Sequence, residues 1–167
     1  MGGTHGVTPD RSNPKRMARH ALTGEGAHVA TKSVFDGLEW TVAGIRPPGA
    51  AHTPFEVLNH MTYWQDWVVR WLAGQSPPIP KHASGGWPGG AAPATRTAWA
   101  RAVRHFRKGL ATLERGCELP PRPRRGGKTG IEMLALTAAH NSYHAGQVVV
   151  LRQLAGCWPP PSGGATW

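Results

Sequence analysis

Along most of the chain, apolar residues recur every three or four positions, the period of a helix with one face buried. The clearest case is Thr95 to Cys117. Trp99, Val103, Phe106, Leu110, Leu113 and Cys117 step alternately by four and three, the seam expected of helix packed on helix. Polar and basic residues fill the other faces there: Arg101, Arg104, Lys108 and Arg115. An equally plain start lies at Thr53-Pro54-Phe55-Glu56. It reads as a capping box with proline at the first helical position. The helix it opens is predicted to run to about Leu72, with Val57, Met61, Trp64, Trp67 or Val68, and Trp71 on its apolar stripe and His60 inside that stripe.

A further long helix is predicted from about Thr129 to Leu154 or Ala155, with Thr129 as N-cap and Glu132 three residues on. Met133, Leu136, Thr137, His140, His144, Gln147, Val148 and Leu151 share one broad face. The run Val148-Val149-Val150-Leu151 is apolar all round. Such a helix is central to the fold or buried at a subunit contact, which favours a homodimer. Two weaker stretches precede these. Pro14 to Thr23 is weakly helical, and Gly24 and Gly26 interrupt it. Thr31 to Ile45 sets Val34, Leu38, Thr41 or Val42, and Ile45 at helical spacing, until Arg46-Pro47-Pro48-Gly49 stops it. No segment alternates with period two over a strand-like length, and there is no internal repeat. The pattern predicts an all-α chain with four main helices.

Composition sharpens this picture. The chain has 167 residues, a length that suits one domain. Glycine (22) and proline (16) are in excess, which in isolation suggests low complexity. Eight tryptophans and 40% hydrophobic residues argue against disorder of the whole. The excess is local: residues 74–94 hold ten glycines and prolines in twenty-one positions. That connection is longer than most loops without a task. The expected organisation is a flexible tail over 1–13, one domain over 14–160 and a C-terminal tail over 161–167.

Lysine and arginine outnumber acids by 19 to 9, a net charge of +10. Residues 96–128 carry ten of these cations against Glu114 and Glu118, a net +8. A solvated basic face explains this best. Nucleic-acid binding through Arg101, Arg104, Lys108, Arg122, Arg124, Arg125 and Lys128 stands behind it, because the charges lack interleaved aromatics and helix-turn-helix punctuation. Cys117 and Cys157 are forty residues apart and form no CxxC, so no redox or zinc-finger pattern is present. No apolar run reaches membrane-spanning length and Met1 to Gly6 lacks a signal-peptide core, so a cytoplasmic protein is expected.

The nine histidines carry the chemistry. His140 and His144 stand four apart on one helical face, a spacing that sets two imidazoles beside one ion. Among nine histidines such a pair has little weight in isolation. It gains weight because both fall on the inward side of an apolar helix, and His60 falls on the inward stripe of another. Buried imidazoles need partners, since an unpaired buried polar group costs about 1–3 kcal/mol. A shared metal would satisfy all three together; three separately hydrogen-bonded core histidines would do so as well. Three protein ligands with an open fourth position is the pattern of catalytic zinc sites.

His140-Asn141-Ser142-Tyr143-His144-Ala145-Gly146-Gln147, continuing through Val148-Val149-Val150-Leu151-Arg152-Gln153-Leu154 to Trp158-Pro159, resembles the final helix of the DinB/YfiT-like superfamily. Thr53-Pro54-Phe55-Glu56-Val57-Leu58-Asn59-His60 with Trp64-Gln65 resembles its second helix, and Gly24-Glu25-Gly26-Ala27-His28-Val29 resembles the segment before its first long helix. The likeness covers about residues 17–160 in the same order. It implies a four-helix bundle, usually dimeric, with zinc or nickel held by one histidine of the second helix and two of the last. Carried over, those ligands are His60, His140 and His144. Characterised relatives include thiol-dependent transferases and isomerases, and others are described as metal-dependent hydrolases. The resemblance thus implies a divalent metal that activates a bound water or thiol, a small-molecule substrate and a possible low-molecular-weight thiol partner. One departure stands out: where members often carry an acid before the first ligand, this chain has Asn59.

Other roles rest on spacing. Glu56, one turn before His60, is a candidate to orient an imidazole, with its capping role as the alternative. Gln147, three after His144, is a candidate to line the site, or else to bond a neighbouring helix. Tyr143 and Trp64 are candidate cavity walls or plain core. His28 reads as a loop anchor, and His5, His20, His52, His82 and His105 as surface. The expected function is a divalent-metal-binding protein with a three-histidine site, acting as a transferase or hydrolase; the alternative is a non-catalytic metal-binding or nucleic-acid-binding helical scaffold.

Overall fold

The computed structural model describes residues 13–118 and 126–164. The expected tail over 1–13 falls almost wholly outside them, as do His5, the basic positions Arg122, Arg124 and Arg125, and residues 165–167. Among the described residues the structure is helical and contains no strand. Four helices of ten residues or more are α1 (Pro14–Thr23), α3 (Pro54–Leu72), α4 (Arg96–Gly116) and α5 (Gly130–Leu154); a single-turn helix, α2 (Trp40–Ala43), lies between the first two. α5 packs against α1 and α3, and α4 closes the ring by packing against α3 and α1.

Local chemistry sets the helix starts. Asn13 caps α1 by accepting the Lys15 N–H at 3.0 Å, with Pro14 at the first position. Thr53 and Glu56 form the expected capping box on α3, and Thr129 and Glu132 form the expected one on α5. Thr95 caps α4 through the Ala98 N–H. Each such cap contributes about 0.5–2 kcal/mol. The seam of α4 is as expected: Trp99, Val103, Phe106, Leu110, Leu113 and Cys117 are all buried.

The helix expected over Thr31 to Ile45 is not formed. A 3₁₀ turn over Thr31–Ser33 gives way to further turns and then to α2. Gly37 explains the break: it sits at φ +63°, and Pro161 packs so closely on it that a Cβ would collide with the proline ring. The first long helix of the chain is therefore α1, ahead of the Gly24–Val29 segment. The expected inward positions survive in part. Val34 and Leu38 enter the core, joined by Phe35 and Ala43, whereas Ile45 is exposed. Phe35 meets Phe106 edge-on at 5.3 Å and Trp99 at 6.1 Å. The Trp99 indole N–H donates to the Leu38 carbonyl at 2.9 Å.

Two other faces are turned from expectation. On α3, Leu58 and Gln65 join Val57, Met61 and Val68 in the interior, while Trp64, Trp67 and Trp71 lie half-buried at its margin. The margin is covered by the 74–94 connection: the Trp67 N–H donates to the Pro78 carbonyl at 3.0 Å, and Gly86 lies against the Trp64 indole. On α5, Leu134, Ala138, Asn141, Ala145, Val149 and Arg152 are buried beside Thr137, His144, Val148 and Leu151, and Leu136 is exposed. The core divides into two apolar clusters, one around Phe35, Met61, Phe106 and Val148 and one around Leu22, Val68, Leu110 and Leu134. The buried residues between them along the three long helices are Gln65, Gly109, Asn141 and His144; a Cβ at Gly109 would stand 2.7 Å from Gln65 Oε1.

Candidate metal centre

His60 on α3 and His140 and His144 on α5 come together where these helices pack. Their ring centroids are 5.0 Å (His60–His140), 4.5 Å (His60–His144) and 4.4 Å (His140–His144) apart. One ring nitrogen from each lies within 4.8 Å of the others, so the group could hold a metal ion. His60 is 8% exposed and His144 5%, while His140 is half-buried.

The hydrogen bonds decide which nitrogen faces inward. His60 Nδ1–H donates to the Gly86 carbonyl at 2.6 Å, and His144 Nδ1–H donates to Gln147 Oε1 at 2.6 Å. A carbonyl oxygen only accepts, so both rings carry their proton on Nδ1 and present a bare Nε2 lone pair. His140 Nε2 faces His60 Nε2 at 3.1 Å. Outer partners of this kind fix tautomer and ring orientation in metal sites. The donor set therefore fits a divalent cation, which binds neutral imidazole through one nitrogen of each ring.

Burial keeps these rings neutral. It lowers His60 and His140 to about 4 each, with neighbouring imidazoles adding to the effect, and it lowers His144 in the same direction against the Gln147 bond. The sign for stability follows. Each folded-state value lies below the unfolded one of 6.5, so folding favours the uncharged ring. That contribution is complete above pH ~6.5 and is lost as pH falls toward 4. Through His60 and His140 the metal-free protein should therefore lose stability on the order of 1 kcal/mol per pH unit over this window, and His144 adds to the loss in the same direction. Urea titrations of chelator-treated protein at pH 7 and pH 5 check it. Equal unfolding free energies at the two values would contradict it.

The other candidates fall as follows. Glu56 serves the cap: its carboxylate accepts the Thr53 N–H at 2.7 Å and pairs with Arg46 at 2.8 Å, while His60 takes Gly86. Gln147 stays on its own helix, accepting from His144 and donating to the Tyr143 hydroxyl at 3.4 Å. Tyr143 and Trp64 present ring edges to His144 (5.0 Å) and His60 (6.5 Å). Asn59 packs beneath Gly89. His28 bonds the Val29 carbonyl and the Ser142 hydroxyl, tying the 24–29 turn to α5. His20 and His82 are exposed, and His105 pairs with Asp66 at 2.9 Å.

Sequence reasoning missed three contributors. Gly86 supplies a carbonyl, Trp87 stacks on His60, and His52, expected at the surface, stacks on the far face of Trp87. The long 74–94 connection was the available clue. Of the basic set, Arg101, Arg104, Lys108 and Lys128 are exposed, away from the histidines. Among the described residues no helix is long and apolar enough to cross a membrane.

No curated protein and no solved structure matches the chain. A family model, that of the DinB superfamily, matches residues 23–148, three quarters of the sequence. That span holds the capped start of α3, His60, the connection with Gly86, and both histidines of α5, and the chain belongs to the DinB superfamily.

Proposed function

We propose that His60, His140 and His144 hold one divalent cation, zinc or nickel, through their Nε2 atoms, and that the centre carries out thiol transfer or hydrolysis on a small molecule. The observation that carries this is the orientation of the rings: two of the three spend Nδ1–H on outward acceptors and turn bare Nε2 atoms toward the third. A bound divalent cation supplies Lewis-acid chemistry there, making a coordinated water or thiol more acidic. The protein's own contribution is orientation. Gly86 and Gln147 fix two tautomers, and the apolar surroundings hold all three rings uncharged. Because neutral imidazoles cancel none of the cation's charge, it acts at full strength on what it binds.

The ring of α1, α5, α3 and α4 supports reading the fold as a four-helix bundle in one domain over 14–160. A cytoplasmic homodimer is the expected state. The exposed row Leu136, Tyr143, Val150 and Leu154 on α5 supports self-association.

Metal analysis of the purified protein tests the assignment. About one zinc or nickel per chain is expected, removable by chelator and restored by either ion. Protein that is metal-free and indifferent to both ions would refute it. A screen of thiol and ester substrates, run on metal-loaded protein beside His144→Ala, separates an enzyme from a binding scaffold. Turnover lost in the variant marks the enzyme, and metal binding without turnover marks the scaffold.

A further inference from the structure

His60 is fixed at one point by its Nδ1–H bond to Gly86, which leaves the tilt of its ring open, since an imidazole's second torsion is broad. A second restraint lies against its face. The Trp87 indole stacks on it at 3.9 Å and 11°, and His52 stacks on the opposite face of Trp87 at 3.7 Å and 9°. The base of this three-ring stack lies beside a fixed carboxylate. His52 Nδ1 lies 3.9 Å from the Glu56 carboxylate, which is bound by Arg46 and by the Thr53 N–H. Trp87 also stands nearly perpendicular to His144, with ring centroids 5.8 Å apart. It comes from the glycine- and proline-rich connection, and Gly86 beside it lies so near Trp64 that a Cβ would sit 3.1 Å from the indole nitrogen. The same two consecutive residues thus supply both the tautomer and the plane of one imidazole.

We propose that Trp87 is a positioning residue: backed by His52, its indole sets the plane of His60 so that Nε2 stays turned toward His140 and His144. Its bearing on metal binding rests on the three-histidine reading above. Trp87 does not bind the ion. It keeps the His60 ring from tilting out of the direction that its two partners share.

The experiment compares Trp87→Leu, which keeps an apolar side chain but loses the aromatic face, with Trp87→Phe, which keeps a face. Zinc affinity of the full chain is read by competition with a chromophoric chelator, and the His60 ring protons are read by NMR on metal-free protein. Outer partners of metal ligands are worth about 10–100-fold in affinity. That loss is expected for Trp87→Leu, with Trp87→Phe within about threefold of the parent. The ring protons of His60 should lie upfield in the parent, shielded by the indole, and return to ordinary values in Trp87→Leu. A Trp87→Leu protein that binds zinc within threefold of the parent overturns the proposal. So do ordinary His60 ring shifts in the parent, a measurement that needs no variant to fold. A parent that binds no zinc or nickel refutes the metal reading instead, and the positioning role is then judged on the ring shifts alone.

Discussion

His144→Ala abolishes the thermal stabilisation that zinc or nickel gives the parent protein. His144 is 5% exposed, and its Nδ1–H is held by Gln147 at 2.6 Å, so its Nε2 is free to face the other two rings. Alanine leaves two imidazoles from different helices, His60 and His140. Affinity should fall by more than the roughly 10–100-fold that loss of an outer partner costs. A ligand present at about 100 times its Kd stabilises the folded state by ~2.7 kcal/mol. For a domain of this size that corresponds to a rise in Tm of roughly 5–10 °C. The parent should show this rise and the variant almost none. In metal-free buffer the variant should be less stable than the parent, because alanine leaves a cavity at a buried position and removes the hydrogen bond to Gln147, so the rise is read against each protein's own metal-free Tm. A rise in Tm that survives in His144→Ala would place the metal elsewhere.

The three-histidine cluster was legible because it lies on helices with strong local determinants. The capping boxes at Thr53 and Thr129 set where α3 and α5 begin, and the helical period then fixes which residues share a face with His60, His140 and His144. What surrounds the ligands was less legible. Gly86 and Trp87 lie in a connection without periodicity, and only tertiary contact brings them to His60. Glu56 shows the limit of spacing: of its two readings, imidazole orientation and capping, the structure shows the cap. The segment 31–45 shows why spacing misleads when apolar residues are bulky and frequent. Val34 and Leu38 are buried as a helix would bury them, yet Gly37 turns the chain between the two, and Pro161 closes on it.

Arg152→Ala destabilises the protein by about 3–5 kcal/mol. The side chain heads the fully buried residues by size at 1% exposure, and among the described residues no carboxylate pairs with it. Its guanidinium is satisfied by carbonyls instead. Nη1 donates to Val34 at 2.7 Å, and Nε and Nη2 donate to Cys157 at 3.2 Å and 3.0 Å, while the Trp158 ring lies 5.3 Å below. These carbonyls belong to two segments outside the long helices, the turns after Ser33 and the turn after α5. Arg152 therefore holds both against the helix that carries His140 and His144. In sequence it reads as a basic residue in a last turn, where such residues are usually solvated. Alanine strands two buried carbonyls at about 1–3 kcal/mol each and leaves a cavity besides. Arg152→Lys should recover only part, because one ammonium cannot reproduce a planar fork that spans two acceptors. Urea denaturation of the three proteins without metal reads the difference directly. A loss within about 0.5 kcal/mol, as for a surface substitution, would mean that Val34 and Cys157 are held by other contacts.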